Sequence, residues 1–221
     1  MAALSYYATS TYTRFRNNDP ELARLYCRYN KFGDRGARRL ATALRCNSFL
    51  TEMHLDGNEI GNAGARHLAA ALETNSFLTF LDLDGNEIGE EGAQHLGTAL
   101  RCNSSLTSLD LGHNQIGDAG ARHLAAALRC NSSLTTLDLH SNQIEKTGAQ
   151  HLTAALQCNF SLTELNLYLK EIDIAIARAA SAFGRRNRTN AERRAASLSD
   201  LGWRQYSSPK EHEERRRRNF L

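Results

Sequence analysis

The chain has 221 residues, a formal net charge of +3, and 41% hydrophobic against 23% charged residues, which excludes both a disordered chain and a membrane-embedded one. Fifteen glycines against two prolines exclude a proline-rich linker, and five Cys without a C-x-x-C pair exclude a disulfide framework or a zinc ribbon. Charge is segregated: residues 1–46 carry nine Lys and Arg against three Asp and Glu, residues 47–169 five against fourteen, and residues 170–221 thirteen against seven.

In chain order, residues 1–18 read as an N-terminal flank or cap, with no apolar run of signal-peptide length. No stretch of ~18 apolar residues occurs anywhere, so no membrane span is expected. A soluble, cytoplasmic protein with reduced thiols is the expectation.

From residue 19 a repeat takes over. The Asn that opens NSFLTEMHLDGNEIG returns at Asn47, Asn75, Asn103, Asn131 and Asn159, always 28 residues apart. Aligning 103–130 with 131–158 gives 19 identities in 28 positions, and the register reaches back to Leu22, Leu25 and Cys27 and forward to Leu162, Leu165 and Leu167. Six repeats over residues 19–184 follow, the first and last atypical. Each reads L-x-x-L-x-L-x-x-N-x-I-G, then G-A-x-x-L, then A-L.

The first half of the unit predicts a short strand, because in Leu81-Asp82-Leu83 the leucines alternate with Asp at period two. The second half predicts a helix: Ala65, Leu68, Ala69 and Leu72 form a stripe at i, i+3, i+4 and i+7. Asp34, Asn62 and Asp118 stand where each helix would take its N-cap. Asn47 and its equivalents fit a left-handed residue after the helix. A second column, Asn30, Asn58, Asn86, Asn114 and Asn142, predicts buried amides that satisfy loose backbone between coils and ends at Lys170.

With these motifs in hand, the sequence resembles the ribonuclease-inhibitor-like class of leucine-rich repeats, and most closely the repeat domains of NOD-like receptors, over roughly residues 19–184. The resemblance implies an α/β leucine-rich repeat solenoid, curved, with a parallel sheet on the concave side and helices on the convex side. It also implies a rigid binding surface. No nucleotide-binding stretch precedes the repeats in this sequence, so an intact receptor is not expected.

Chemistry-bearing motifs are missing: G-x-x-x-x-G-K-[ST], G-x-G-x-x-G, G-x-S-x-G and H-E-x-x-H do not occur. No enzyme, cofactor or metal is expected, and neither a small-molecule substrate nor nucleic acid. The column His67, His95, His123 and His151 repeats at 28 residues. Helix axes ~8–10 Å apart are too distant to share a zinc ion with ~2.0–2.1 Å bonds. Cys46, Cys102, Cys130 and Cys158 read as small thiols buried in the seam between coils.

Specificity is expected where repeats differ and face solvent on the sheet. The candidate partner-binding residues are Arg24, Tyr26, Arg28, His54, Asp56, Phe80, Asp82, Asp84, Asp110, Asp138, His140 and Tyr168. Their acidic stripe suits a protein partner with a basic surface, bound by a monomer, and the aromatics Tyr26, Phe80 and Tyr168 suit hot spots. After Gly184 the repeat fails, and residues 185–221 read as a basic cap or tail, with a last solenoid helix over 173–183 before it. The alternative reading is a secreted bacterial effector, active in the host cytoplasm or nucleus, that regulates a host enzyme such as a small GTPase. There Arg28, Arg35 and Asn30 lie in the kind of place used by the related repeat protein that activates Ran GTPase.

Overall fold

The computed structural model describes residues 6–167, with side chains from residue 11. The expectations for Tyr168, Lys170, the helix over 173–183 and the extension 185–221 lie outside the described residues. After helix α1 (Tyr6–Arg16), strand and helix alternate: β1 (Arg24–Tyr26), α2 (Gly33–Leu44), β2 (Glu52–His54), α3 (Asn62–Leu72), β3 (Phe80–Asp82), α4 (Glu90–Cys102), β4 (Ser108–Asp110), α5 (Gly117–Leu128), β5 (Thr136–Asp138), α6 (Lys146–Leu156) and β6 (Glu164–Asn166).

The six strands form one parallel sheet in sequence order. Equivalent residues of neighbouring coils pair directly, as in Phe80↔Ser108 and Asp82↔Asp110. The fold is an α/β leucine-rich repeat solenoid. Helices need ~8–10 Å of spacing whereas paired strands need ~4.8 Å, so stacking coils of this kind puts the sheet on the inside of the curve.

The core lies between the layers and is built as columns. Leu25, Met53, Leu81, Leu109, Leu137 and Leu165 supply the central strand positions, and Leu68, Leu96, Leu124 and Leu152 meet them from the helices. All are buried, each at ~1.5–3 kcal/mol of transfer free energy per side chain as an upper estimate. The helical stripe Ala65, Leu68, Ala69 and Leu72 is buried as its spacing predicts.

Helix α1, which the repeat does not announce, closes the N-terminal end of the core. Phe15 is fully buried there, and the Asn47 amide donates to its carbonyl at 3.1 Å. Asp19 acts as a first rung, its Oδ1 accepting the Glu21 N–H at 2.9 Å as Asn47 Oδ1 accepts that of Phe49.

Three polar ladders bind coil to coil. In the first, Asn86 Nδ2 donates to the carbonyls of Leu55, Leu83 and Asp84, while its Oδ1 accepts from the N–H groups of Asn58 and Ile60. Asn58, Asn114 and Asn142 repeat the arrangement. In the second, Asn75 Nδ2 donates to Leu44 O and Asn47 O while Oδ1 accepts from the N–H groups of Phe77 and Leu78. The third was not anticipated: Thr51, Thr79, Thr107, Thr135 and Thr163 each donate Oγ1 to the carbonyl of the equivalent residue one coil back, at 2.9–3.0 Å.

Three expectations are corrected. No residue of the Asn47 column has a positive φ, and Asn103 sits at φ −76°, ψ 128°. These asparagines serve through their buried side chains, which span both the turn and the neighbouring coil, so no left-handed backbone is needed. Second, Asp34, Asn62 and Asp118 lie inside their own helices and cap the next coil instead. Asp34 Oδ1 accepts from Gly61 and Gly64 N–H, Asn62 Oδ1 from Gly89 and Gly92, and Asp118 Oδ1 from Glu145. Where Glu90 takes that place, the following Gly117 adopts φ +62° and donates forward to Asn142 O at 2.9 Å. Third, Cys46, Cys102, Cys130 and Cys158 are exposed. They stand at the helix ends, where the side chain next to the inward Asn turns out to solvent. Cys27, under the sheet, is the buried thiol, and its burial pushes its pKa up to about 11.

A candidate recognition face on the sheet

The strand residues that alternate with the buried leucines share the sheet face turned away from the helices. Register aligns Arg24, Glu52, Phe80, Ser108, Thr136 and Glu164 in one row and Tyr26, His54, Asp82, Asp110, Asp138 and Asn166 in the next. The third row holds Arg28, Asp56, Asp84, Gly112 and His140, two residues past the last paired residue of each strand.

The expectation that these positions all face solvent fails in part. Tyr26 is 57% exposed, but His54, Asp56, Asp82 and Asp84 are buried, and Arg28, Phe80, Asp110, Asp138 and His140 are half-buried. Strands at ~4.8 Å spacing put equivalent side chains against one another, so each row covers itself.

At the N-terminal end the rows form an aromatic and cationic cluster. The Tyr26 and His54 rings stack at 4.6 Å, and His54 and Phe80 lie 4.9 Å apart. Arg28 extends over Tyr26 at 5.9 Å, pairs with Asp56 at 3.0 Å and Asp82 at 3.8 Å, and bonds His54 Nδ1 at 2.9 Å. Arg24 pairs with Glu52 at 3.0 Å. A guanidinium anchored by two carboxylates and an imidazole is a fixed platform.

The C-terminal half is acidic. Asp82, Asp110 and Asp138 stand side by side on β3, β4 and β5. Burial, then the charges of Asp138 and Asp82, push the Asp110 carboxyl up to about 8. Burial and Asp82 likewise push Asp56 up to about 6 against the opposing pull of Arg28. His140 stays above the usual histidine range: burial alone would lower it, but the Asp138 hydrogen bond at 2.7 Å and the charges of Asp138, Asp84 and Asp110 outweigh that.

The structure thus joins eleven of the twelve sequence candidates on one face, and Tyr168 lies outside the described residues. Arg35 is on helix α2, away from that face, and the Asn30 amide donates to the Arg28 carbonyl at 2.7 Å. His113 and Tyr29 were missed. Their signal lies in the repeat: Gly57 and Gly85 take φ of +66° and +64° after the third row, and Tyr29 and His113 hold the same place at +53° and +49°. Non-glycine residues in a left-handed turn cost on the order of 1 kcal/mol, so such residues mark candidate functional positions. Tyr29 is exposed, and its ring occupies the space over Gly57, where a Cβ would come within 2.3 Å. His113 Nδ1 lies 2.8 Å from Asp84 Oδ1, and its ring meets His140 edge-on at 4.3 Å.

The sequence model of the Leucine Rich repeat matches residues 46–69, 74–97, 102–125 and 130–152. No curated protein sequence matches the chain significantly. Among solved structures, the chain is similar to leiomodin-1 actin-binding site 2, with a TM-score of 0.58 and 19% identity over 97% of this chain and 99% of that one. It is also similar to the tropomodulin C-terminal domain of Caenorhabditis elegans, with a TM-score of 0.50 and 16% identity over 83% of this chain and 97% of that one. At such identities the likeness is one of fold. Among the described residues no helix is long and apolar enough to cross a membrane.

Proposed function

We propose that this chain is a non-enzymatic recognition scaffold that binds a protein partner through the sheet face. The coil is read as ribonuclease-inhibitor-like, on its 28-residue period and its helices of 11 to 13 residues. One observation carries the proposal: the Tyr26, His54 and Phe80 rings, the first two stacked and held by Arg28, form a pre-ordered aromatic and guanidinium cluster on an otherwise polar sheet. Aromatics and Arg dominate interface energetics, and little ordering entropy remains to be lost there on binding. The neighbouring aspartates favour a partner whose matching surface is basic. The similar leiomodin-1 structure is titled an actin-binding site, which makes actin a sensible first probe.

The test is affinity capture by the immobilised full chain, from purified actin and then from a eukaryotic lysate, with Tyr26→Ala, Phe80→Ala and the helix-face variant His95→Ala in parallel. A protein held by the parent and by His95→Ala, released by higher salt and lost from both aromatic variants, supports the reading. Capture that survives both aromatic variants but vanishes on removal of residues 185–221 assigns binding to the basic extension and overturns it.

A further inference from the structure

We propose that Asp84, His113 and His140 form a binding site for one divalent transition-metal ion of the zinc type. The three come from successive coils, following β3, β4 and β5, and one ligand atom from each lies within 4.8 Å of the others. Two imidazoles and one carboxylate form a donor set for zinc and its neighbours, whereas magnesium and calcium take oxygen ligands.

Gly112 is the observation that makes the cluster more than a chance grouping. It stands in the third row between Asp84 and His140, and a Cβ there would lie 2.2 Å from His140 Cε1, 2.5 Å from its Nδ1 and 2.7 Å from Asp84 Oδ1. Its φ is not in the left-handed region, so the backbone would accept any residue. What the glycine supplies is room. Through that gap a carboxylate and an imidazole two coils apart converge, and the His113 ring closes the third side at 4.3 Å from His140.

The surroundings suit a bound cation. Asp138 accepts from His140 Nδ1 at 2.7 Å, the carboxylate–imidazole pairing that orients metal-bound histidines. Asp110 and Asp138 form a second donor set with His140, so the site sits in a negative field. The helix histidines offer no such convergence: among the described residues His67, His95, His123 and His151 belong to neither donor set.

The proposal does not depend on the recognition reading, and its test needs no partner. The full chain, stripped with chelator, is titrated with zinc chloride by calorimetry and with cobalt(II) chloride by absorption spectroscopy. One site per chain is expected, with a cobalt spectrum free of thiolate charge transfer. It should be lost in His140→Ala and in the rim variant His113→Gln, lost or weakened in Gly112→Ala, weakened about 10–100-fold in Asp138→Asn, and unchanged in His95→Ala and Cys102→Ser. Circular dichroism in chelator identifies variants that fold, and His113→Gln, at the edge of the face, decides if His140→Ala does not. No saturable site in the parent, zinc retained by folded His113→Gln, or a thiolate band in the cobalt spectrum would each overturn the assignment.

Discussion

One buried amide, that of Asn86, serves three carbonyls and two N–H groups drawn from two coils. Asn86→Ala should therefore destabilise the chain by ~1–3 kcal/mol or more, since buried backbone groups lose their partners. Asn30 is exposed, and its amide donates only to Arg28 O among the described bonds, so Asn30→Ala should cost well under that when both variants are compared with the parent by urea titration. The acidic stripe makes a second prediction. Asp110 and Asp56 have folded pKa values raised above the unfolded ones, and His140 is raised too, so through these three groups the folded state binds more protons than the unfolded state above about pH 4, opposed by His67, which burial lowers. Stability should fall as pH rises from 5 to 8 in chelator-treated protein, with at most ~1.4 kcal/mol per pH unit for each proton involved. Asp110→Asn should flatten the slope. A parent whose melting temperature does not change over that range contradicts the buried, like-charged row. Because Asp82 and Asp110 are covered by their neighbours, replacing them perturbs folding, so they are unsuitable probes of how charge steers a partner.

At the scale of the element, the 28-residue period made strands, helices and both asparagine columns legible, because each rests on local spacing and on backbone that must be satisfied. What spacing could not disclose is which coil receives a bond. Asp34 reads as the cap of its own helix, yet its carboxylate reaches Gly61 and Gly64, a partner that exists only once coils stack. The outward Cys column and the covered sheet face were illegible for the same reason, since exposure is decided by the neighbouring coil. Stacking also permits excision. Asn103 donates to Leu72 O and Asn75 O, and deleting residues 103–130 puts Asn131 in that place with the same side chain. The shortened chain should stay folded and cooperative, with reduced stability, because each coil contacts its neighbours. A chain that collapses to a molten or unfolded state, read by near-ultraviolet circular dichroism and thermal melting, would contradict additive coils.

Across the whole molecule, the sheet face is graded, aromatic and cationic at β1–β3 and acidic from β3 to β5, while the helix face carries the histidine and cysteine columns. A face graded in this way orients a partner: charge sets the encounter and its salt dependence, and the aromatic cluster sets the lifetime of the complex. Tyr26 and Phe80 should accordingly act on dissociation, each worth ~2 kcal/mol or more if central to the interface. The most direct measurement is photo-crosslinking by the full chain, with a photoreactive phenylalanine analogue placed at Phe80 on β3 or at the exposed Gln94 on α4. The recognition account predicts a discrete crosslinked protein from position 80, suppressed by excess unmodified chain, and none from position 94. A competable product from position 94 with none from position 80 would contradict it.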